Sequence, residues 1–367
     1  MAGTRYAMPE GSLFSRRIVS VLVTSLLIVS ACSTGGNAAS ASSPSGATAV
    51  PASGSIAPGS GSSGFVKKDP LKIGYSAYDL TNPYWQNYKA GIEAAAKAQG
   101  IEVIVADQKG SQQAQVSGSA DLINQGISAL IVSPVEPKAL PATVTAAHNA
   151  QIPIIIGDVG AADGVDAFIL SDNLAGGAAA ADFMAATLVG LGKTGSQEIG
   201  VIDLHPGSAV GVDRVKGFKD QVAAKYPDLK IVGELNGNDA IKEGHDAAAN
   251  MLTAHPNIVG IYAANDNEAQ GAIAAVQEAG KDPKAIVIIG FDGNAISLQD
   301  IKAGTQAATV AQDPFGQGQL AVTTALQLLN GESVKYTDPA TKTIAFPIEL
   351  VDQKNIVEFM TKRVGQS

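Results

Sequence analysis

The chain has 367 residues and a formal net charge of −9, with 46% hydrophobic and 16% charged residues. That balance supports a folded core, and an acidic chain without Lys/Arg-rich runs is a poor partner for nucleic acid or, by charge alone, for anionic lipid. A single cysteine, Cys32, excludes an intramolecular disulfide, and His148, His205, His245 and His255 show no metal-ligand spacing, so no metal or cofactor is expected.

The N-terminus reads as an export leader over residues 1–31. Arg16 and Arg17 form a positive end, and Ile18 to Val29 is an apolar run suited to a signal segment and short for a membrane span. Val29-Ser30-Ala31-Cys32 resembles a bacterial lipobox, in which the Cys thiol takes a diacylglyceryl group and becomes the new N-terminus. An ordinary signal peptide with an incidental Cys is the alternative. Residues 32–70 are expected to form a flexible tether, because Ser33 to Gly64 carry no charged or aromatic side chain and bury too little apolar area to offset chain entropy.

From Leu71 short β-branched runs alternate with Ala-rich helical stretches. The predicted strands are Lys72–Tyr75, Ile101–Ala106, Ala129–Val132, Pro153–Ile156, Glu198–Ile202, Lys230–Gly233, Val259–Tyr262, Ala285–Ile289 and Ala307–Ala311, with a last one over about Thr343 to Leu350. Near-continuous apolar strands separated by helices predict an α/β fold of parallel sheets covered on both faces. The pattern begins near Lys72 and again near Glu198, which predicts two doubly wound lobes. Ligands of such sheets sit beyond the C-terminal strand ends.

Those ends carry Asp79 and Asn82-Pro83-Tyr84-Trp85, then Asp107, Ser133 and Asp158. In the second half come His205, Arg214, Asn238-Asp239, Asn265-Asp266, Asp292 and Gln312. Carboxylates, amides and a guanidinium beside aromatic rings suit a polyhydroxylated ligand, whose hydroxyls both donate and accept. The bland reading of each Asp or Asn is a helix cap or turn former.

From about Leu71 to Val351 the chain resembles the type I periplasmic sugar-binding proteins of the ribose-binding group. The resemblance rests on Asn82-Pro83-Tyr84-Trp85, Leu252-Thr253-Ala254-His255-Pro256, Ala264-Asn265-Asp266, Gly290-Phe291-Asp292-Gly293 and Ala307-Ala308-Thr309-Val310-Ala311-Gln312. It implies two lobes joined by a three-crossover hinge that closes on a ligand. By this resemblance Asn82, Tyr84, Trp85, Ser133 and Asp158 contribute from the first lobe, and Arg214, Asp239, Asn265, Asp292 and Gln312 from the second lobe and hinge. It places the crossovers near Asp172–Ala175, Gln312 and Thr341–Thr343. The first lobe would then be 71–172 with 313–341, and the second 173–312 with 342–367. Two departures stand out: Val159 occupies the position of a sugar-clamping Arg in the ribose binder, and Asp239 that of an aromatic stacker.

These readings predict a monomeric, lipid-anchored solute-binding protein that passes a small neutral sugar or polyol, other than ribose, to a membrane ABC permease. A sensor partner, or a nucleoside or furanosyl ligand, stays open. No Gly-x-Ser-x-Gly elbow, Walker loop or His-Glu-x-x-His motif occurs. An acid/base role for Asp158 and Asp292 is the weaker alternative, so no catalysis is expected.

Overall fold

The computed structural model describes residues 64–363. In chain order the first lobe holds β1 (Lys72–Ala77), α1 (Pro83–Ala98), β2 (Glu102–Asp107), α2 (Gln112–Asn124), β3 (Ala129–Val132), α3 (Leu140–Asn149), β4 (Ile154–Gly157) and β5 (Ala167–Ser171). The second lobe follows with α4 (Asn173–Gly190), β6 (Gln197–Asp203), α5 (Ala209–Lys225), β7 (Leu229–Asn236), α6 (Ile241–Ala254), β8 (Ile258–Ala263), α7 (Asp266–Glu278), β9 (Val287–Asp292), α8 (Ala295–Ala303) and β10 (Ala308–Ala311). The chain then returns through α9 (Pro314–Asn330) and β11 (Thr343–Phe346), and ends with β12 (Glu349–Asp352) and α10 (Ile356–Arg363).

Both sheets have the doubly wound order. The first runs β11-β5-β4-β3-β1-β2 and is parallel throughout; the second runs β12-β10-β9-β8-β6-β7. Its only antiparallel pair is β10 with β12, with Ala311 opposite Glu349. Strands β3, β4 and β10 are buried at every residue, because helices cover both faces. Helices α1 and α9 pack together on one face of the first sheet, and α4 and α5 on one face of the second.

Local chemistry sets the helix starts. Asn82 accepts the Tyr84 N–H ahead of Pro83, and Asp313 accepts the Gly316 N–H ahead of Pro314, so each helix opens with a side-chain cap and a proline. Glycine lets α4 and α5 touch. A Cβ at Gly177 would run into the Arg214 carbonyl, and one at Gly217 into the Leu174 carbonyl. That approach carries Arg214 toward the strand ends.

Three expectations need correction. Strand β5 had no sequence signal strong enough to be predicted. The run Thr343 to Leu350 is two strands: β11 lies parallel to β5 in the first sheet, and only β12 joins the second. The third crossover is therefore at residues 347–348 instead of Thr341–Thr343, where Pro347 interrupts the strand and cannot donate to a ladder. The first lobe accordingly extends from 313 to 346. The tether, expected to reach residue 70, ends sooner: the Val66 N–H donates to Gln151 O at 2.7 Å, and Phe65 packs on the first-lobe core. The leader, Cys32 and the tether up to residue 63 lie outside the described residues.

Candidate functional site

The strongest cluster lies where the C-terminal strand ends of the two lobes meet at the crossovers. Arg214, on α5, is 4% exposed. Its Nε donates to Asn173 Oδ1 at 2.9 Å, its Nη1 to Ala264 O at 2.9 Å, and Nη1 stands 3.1 Å from Asp292 Oδ1. The guanidinium lies 3.8 Å above the Phe291 ring. A salt bridge to Asp213 or Asp220 on its own helix, the bland reading of this residue, is not formed.

Gln312 joins the lobes. Its Nε2 donates to Asp292 Oδ1 at 2.7 Å, while its Oε1 accepts from Ser171 Oγ at 2.7 Å and from Tyr84 Oη at 3.4 Å. Gln317 of α9 donates to the same Ser171 and Tyr84 oxygens at 3.0 and 3.3 Å. Amide and hydroxyl groups thus fix Asp292 from one side and Arg214 from the other.

Asp158 follows β4 with φ of 71°, a conformation that Asp tolerates better than most residues. It is 9% exposed, and its Oδ1 is buried with no hydrogen-bond partner among the described residues. Burial pushes its pKa up to about 6; Arg214 opposes the rise and the negative charge of Asp292 adds to it. A buried carboxylate oxygen without a partner costs about 1–3 kcal/mol and is the place where a ligand hydroxyl gains most.

A second group borders the cleft from the second lobe. Asp239, with φ of 62°, meets His205 Nδ1 at 2.5 Å and accepts from Asn265 Nδ2 at 3.4 Å. Asn265 also caps α7, accepting the Glu268 N–H at 2.9 Å. The bland and functional readings of this residue hold together, because an amide offers one group to the cap and another to its neighbour.

The remaining predicted residues do not join these clusters directly. The Asn82 side-chain oxygen is occupied by the α1 cap, at 2.9 Å from Tyr84 N. Trp85 is 5% exposed and stacks on Tyr78 at 5.4 Å, so it supports Tyr84 from the core side. Ser133 is fully buried and meets Tyr75 Oη at 3.1 Å.

Several supporting residues escaped sequence reasoning. Asp266 is fully buried and accepts from Gly293 N at 2.9 Å, Asn294 N at 2.8 Å and Thr309 Oγ1 at 2.7 Å. It therefore holds the turn after Asp292, whose own φ of 112° needs that support. Its position in Ala264-Asn265-Asp266, paired with Gly290-Phe291-Asp292-Gly293, was the available signal. Ser171, Asn173 and Gln317 gave none, since each is an ordinary polar residue at a strand or helix start. Concavity alone does not mark the site: a cavity of about 550 Å³, lined by Phe183, Leu191 and Ile286 among others, opens at the opposite end of the second sheet. Among the described residues no group of three or more His, Cys, Asp or Glu is placed to hold a metal ion.

Two parallel-sheet lobes, three crossovers and a polar cleft at the strand ends define a cleft-binding protein. Comparison with known proteins names the family. The periplasmic binding protein domain profile matches residues 73–333. The ribose import binding protein of Bacillus subtilis is 36% identical over 288 residues, covering 78% of this chain and 89% of that protein. The xylitol-binding protein of Mycolicibacterium smegmatis is 32% identical, covering 74% and 75%. An ABC transporter solute-binding protein of Actinobacillus succinogenes, solved with D-allose, has a TM-score of 0.69 at 28% identity and covers 78% of this chain and 99% of that one. The chain belongs to the periplasmic binding protein domain family, whose members are solute-binding components of transport systems and not enzymes.

Proposed function

We propose that this protein captures a small neutral sugar or polyol between its lobes and delivers it to an ABC importer. The observation that carries this reading is the unpartnered Asp158 Oδ1, presented from the first lobe within electrostatic reach of Arg214 and Asp292 of the second. Such a set satisfies a ligand rich in hydroxyls: Asp158 and Asp292 accept, and Gln312 and Arg214 polarise the second acceptor. The relatives support the class, since their ligands are ribose, xylitol and D-allose, and a similar structure from Bacillus halodurans holds myo-inositol. All are uncharged and polyhydroxylated.

The ten predicted residues contribute in two tiers under this reading. Tyr84, Asp158, Arg214, Asp239, Asn265, Asp292 and Gln312 make or frame the cleft, and Asn82, Trp85 and Ser133 hold the first-lobe wall. Val159 packs against the core that contains Trp85 and Tyr88 and offers no donor, which favours a ligand other than ribose. Diacylation of Cys32 would hold the monomeric domain near the outer face of the membrane, because two chains are needed for stable anchoring. Titration calorimetry with pentoses, hexoses, linear polyols and inositols tests the assignment. Saturable binding of a neutral member at micromolar concentration is expected. Binding confined to amino acids or other charged solutes would overturn it.

A further inference from the structure

The last helix carries an arginine that the cleft itself does not account for. Helix α10 packs Ile356, Phe359 and Met360 against Leu298 and Ile301 of α8, Ala311 of β10 and Val351 of β12. From its end, Arg363 lays its guanidinium 4.3 Å above the Phe359 ring and donates through Nη2 to the backbone carbonyl of Gln312. Gln312 is the second crossover. The same arginine lines a cavity of about 300 Å³ together with Asp313, Pro347, Ile348 and Glu349, so the third crossover forms the other wall.

These contacts place one side chain against two of the three connections between the lobes. Gln312 is then gripped at both ends. Its side chain reaches Asp292, Ser171 and Tyr84, its N–H donates to Asp292 O at 3.1 Å, and its carbonyl faces Arg363. A planar guanidinium stacked on a ring is pre-organised, so less freedom is lost in making that hydrogen bond. Hinge segments that absorb a rotation must change φ and ψ, and a charged donor on one carbonyl limits which values are available.

We infer that Arg363 is a positioning residue for ligand binding, acting from outside the cleft through the Gln312 carbonyl to hold the second crossover and orient the Gln312 side chain. The inference rests on the proposed binding site for its effect on affinity, but the clamp on the crossover stands without a ligand. Arg363 touches no ligand group. It sets how firmly Gln312 presents Asp292, and how freely the crossovers rearrange when the lobes move.

Amide hydrogen exchange and calorimetry on the full mature chain separate the two parts. In ligand-free Arg363→Met, the Gln312 amide and those of Ile348 and Glu349 should exchange about tenfold faster, with the amides of β8 and α5 unchanged and the melting temperature nearly so. Arg363→Lys, which keeps a charged donor, should recover most of the protection. Titrations with D-ribose, D-allose, xylitol and myo-inositol should show about tenfold weaker binding of whichever compound binds the parent, the size expected from losing one charge-assisted contact. Faster exchange confined to residues 356–362 would mean that only the helix end frays, and would overturn the clamp. Faster crossover exchange with unchanged affinity would overturn the positioning role. If the parent binds none of the four, the ligand assignment has failed, and the crossover exchange still decides the clamp.

Discussion

Glu268 should make the protein less stable as pH rises, and Glu268→Gln should remove that effect. Its side chain is fully buried on α7. The Asp239 N–H donates to its Oε1 at 3.1 Å, and Oε2 has no hydrogen-bond partner among the described residues. Burial, with the negative charges of Asp239 and Asp203 nearby, pushes its pKa from the usual 4.5 to about 9. The folded state therefore keeps the proton where the unfolded chain releases it. The resulting stability is fully present below pH 4.5 and drains away up to about pH 9. At pH 7 the gap between 7 and 4.5 corresponds to roughly 3 kcal/mol, taking about 1.4 kcal/mol per pH unit. Glutamine keeps the shape and the acceptor without the proton demand. Asp239 and Asp203 stand close enough to influence the new amide's N–H groups. Thermal melts of both proteins at pH 5, 7 and 8.5 measure the effect. The variant should melt roughly 5–8 °C higher at pH 7, with the difference growing at pH 8.5 and nearly gone at pH 5. A variant that melts below the parent at pH 7, or shares its pH slope, would refute the reasoning.

Other outcomes follow from the same contacts. Asp292→Ala removes the acceptor for Arg214 and Gln312 and should weaken ligand binding about tenfold or more, with a measurable loss of stability from the buried guanidinium left behind; unchanged calorimetric affinity in a folded variant would remove Asp292 from the site. Ribose should bind more weakly than at least one other pentose, hexose or cyclitol, because a hydroxyl turned toward Val159 loses its water partners, at about 1–3 kcal/mol; a titration panel headed by ribose would contradict this. Native Cys32 should carry a diacylglyceryl group, and Cys32→Ser should appear in the soluble fraction. Mass spectrometry that finds an unmodified thiol would end the anchoring proposal.

Much of the fold was legible because each of its devices is local. Strands covered on both faces must be apolar nearly throughout, so β3 and β8 stood out as short β-branched runs. Helices need caps, so Asn82-Pro83 and Asp313-Pro314 marked two starts. Polar residues directly after apolar runs pointed to the cleft, and Asp158, Asn265, Asp292 and Gln312 all lie at strand ends. Strand β5 stayed hidden because Ala167–Ser171 alternates buried and half-buried residues and has no strong β-branched run.

The amino-acid sequence by itself determined the α/β class, the duplication into two lobes and the polar inventory of the cleft. Each depends on periodicity or on residue type at a position, and neither needs a partner to be named. Only the tertiary structure decided which groups meet. Residues 343–350 look like one strand, yet Pro347 and pairing with β5 on one side and β10 on the other divide them between sheets. Arg214 has acids on its own helix, yet α4 and α5 pack closely enough to turn it to Asp292. Asp266 and Glu268 read as ordinary acids in the first turn of a helix, where they favour the dipole. Folding instead buries both, one under the turn that holds Asp292 and the other under Asp239, because the loops after β7 and β9 close over the start of α7.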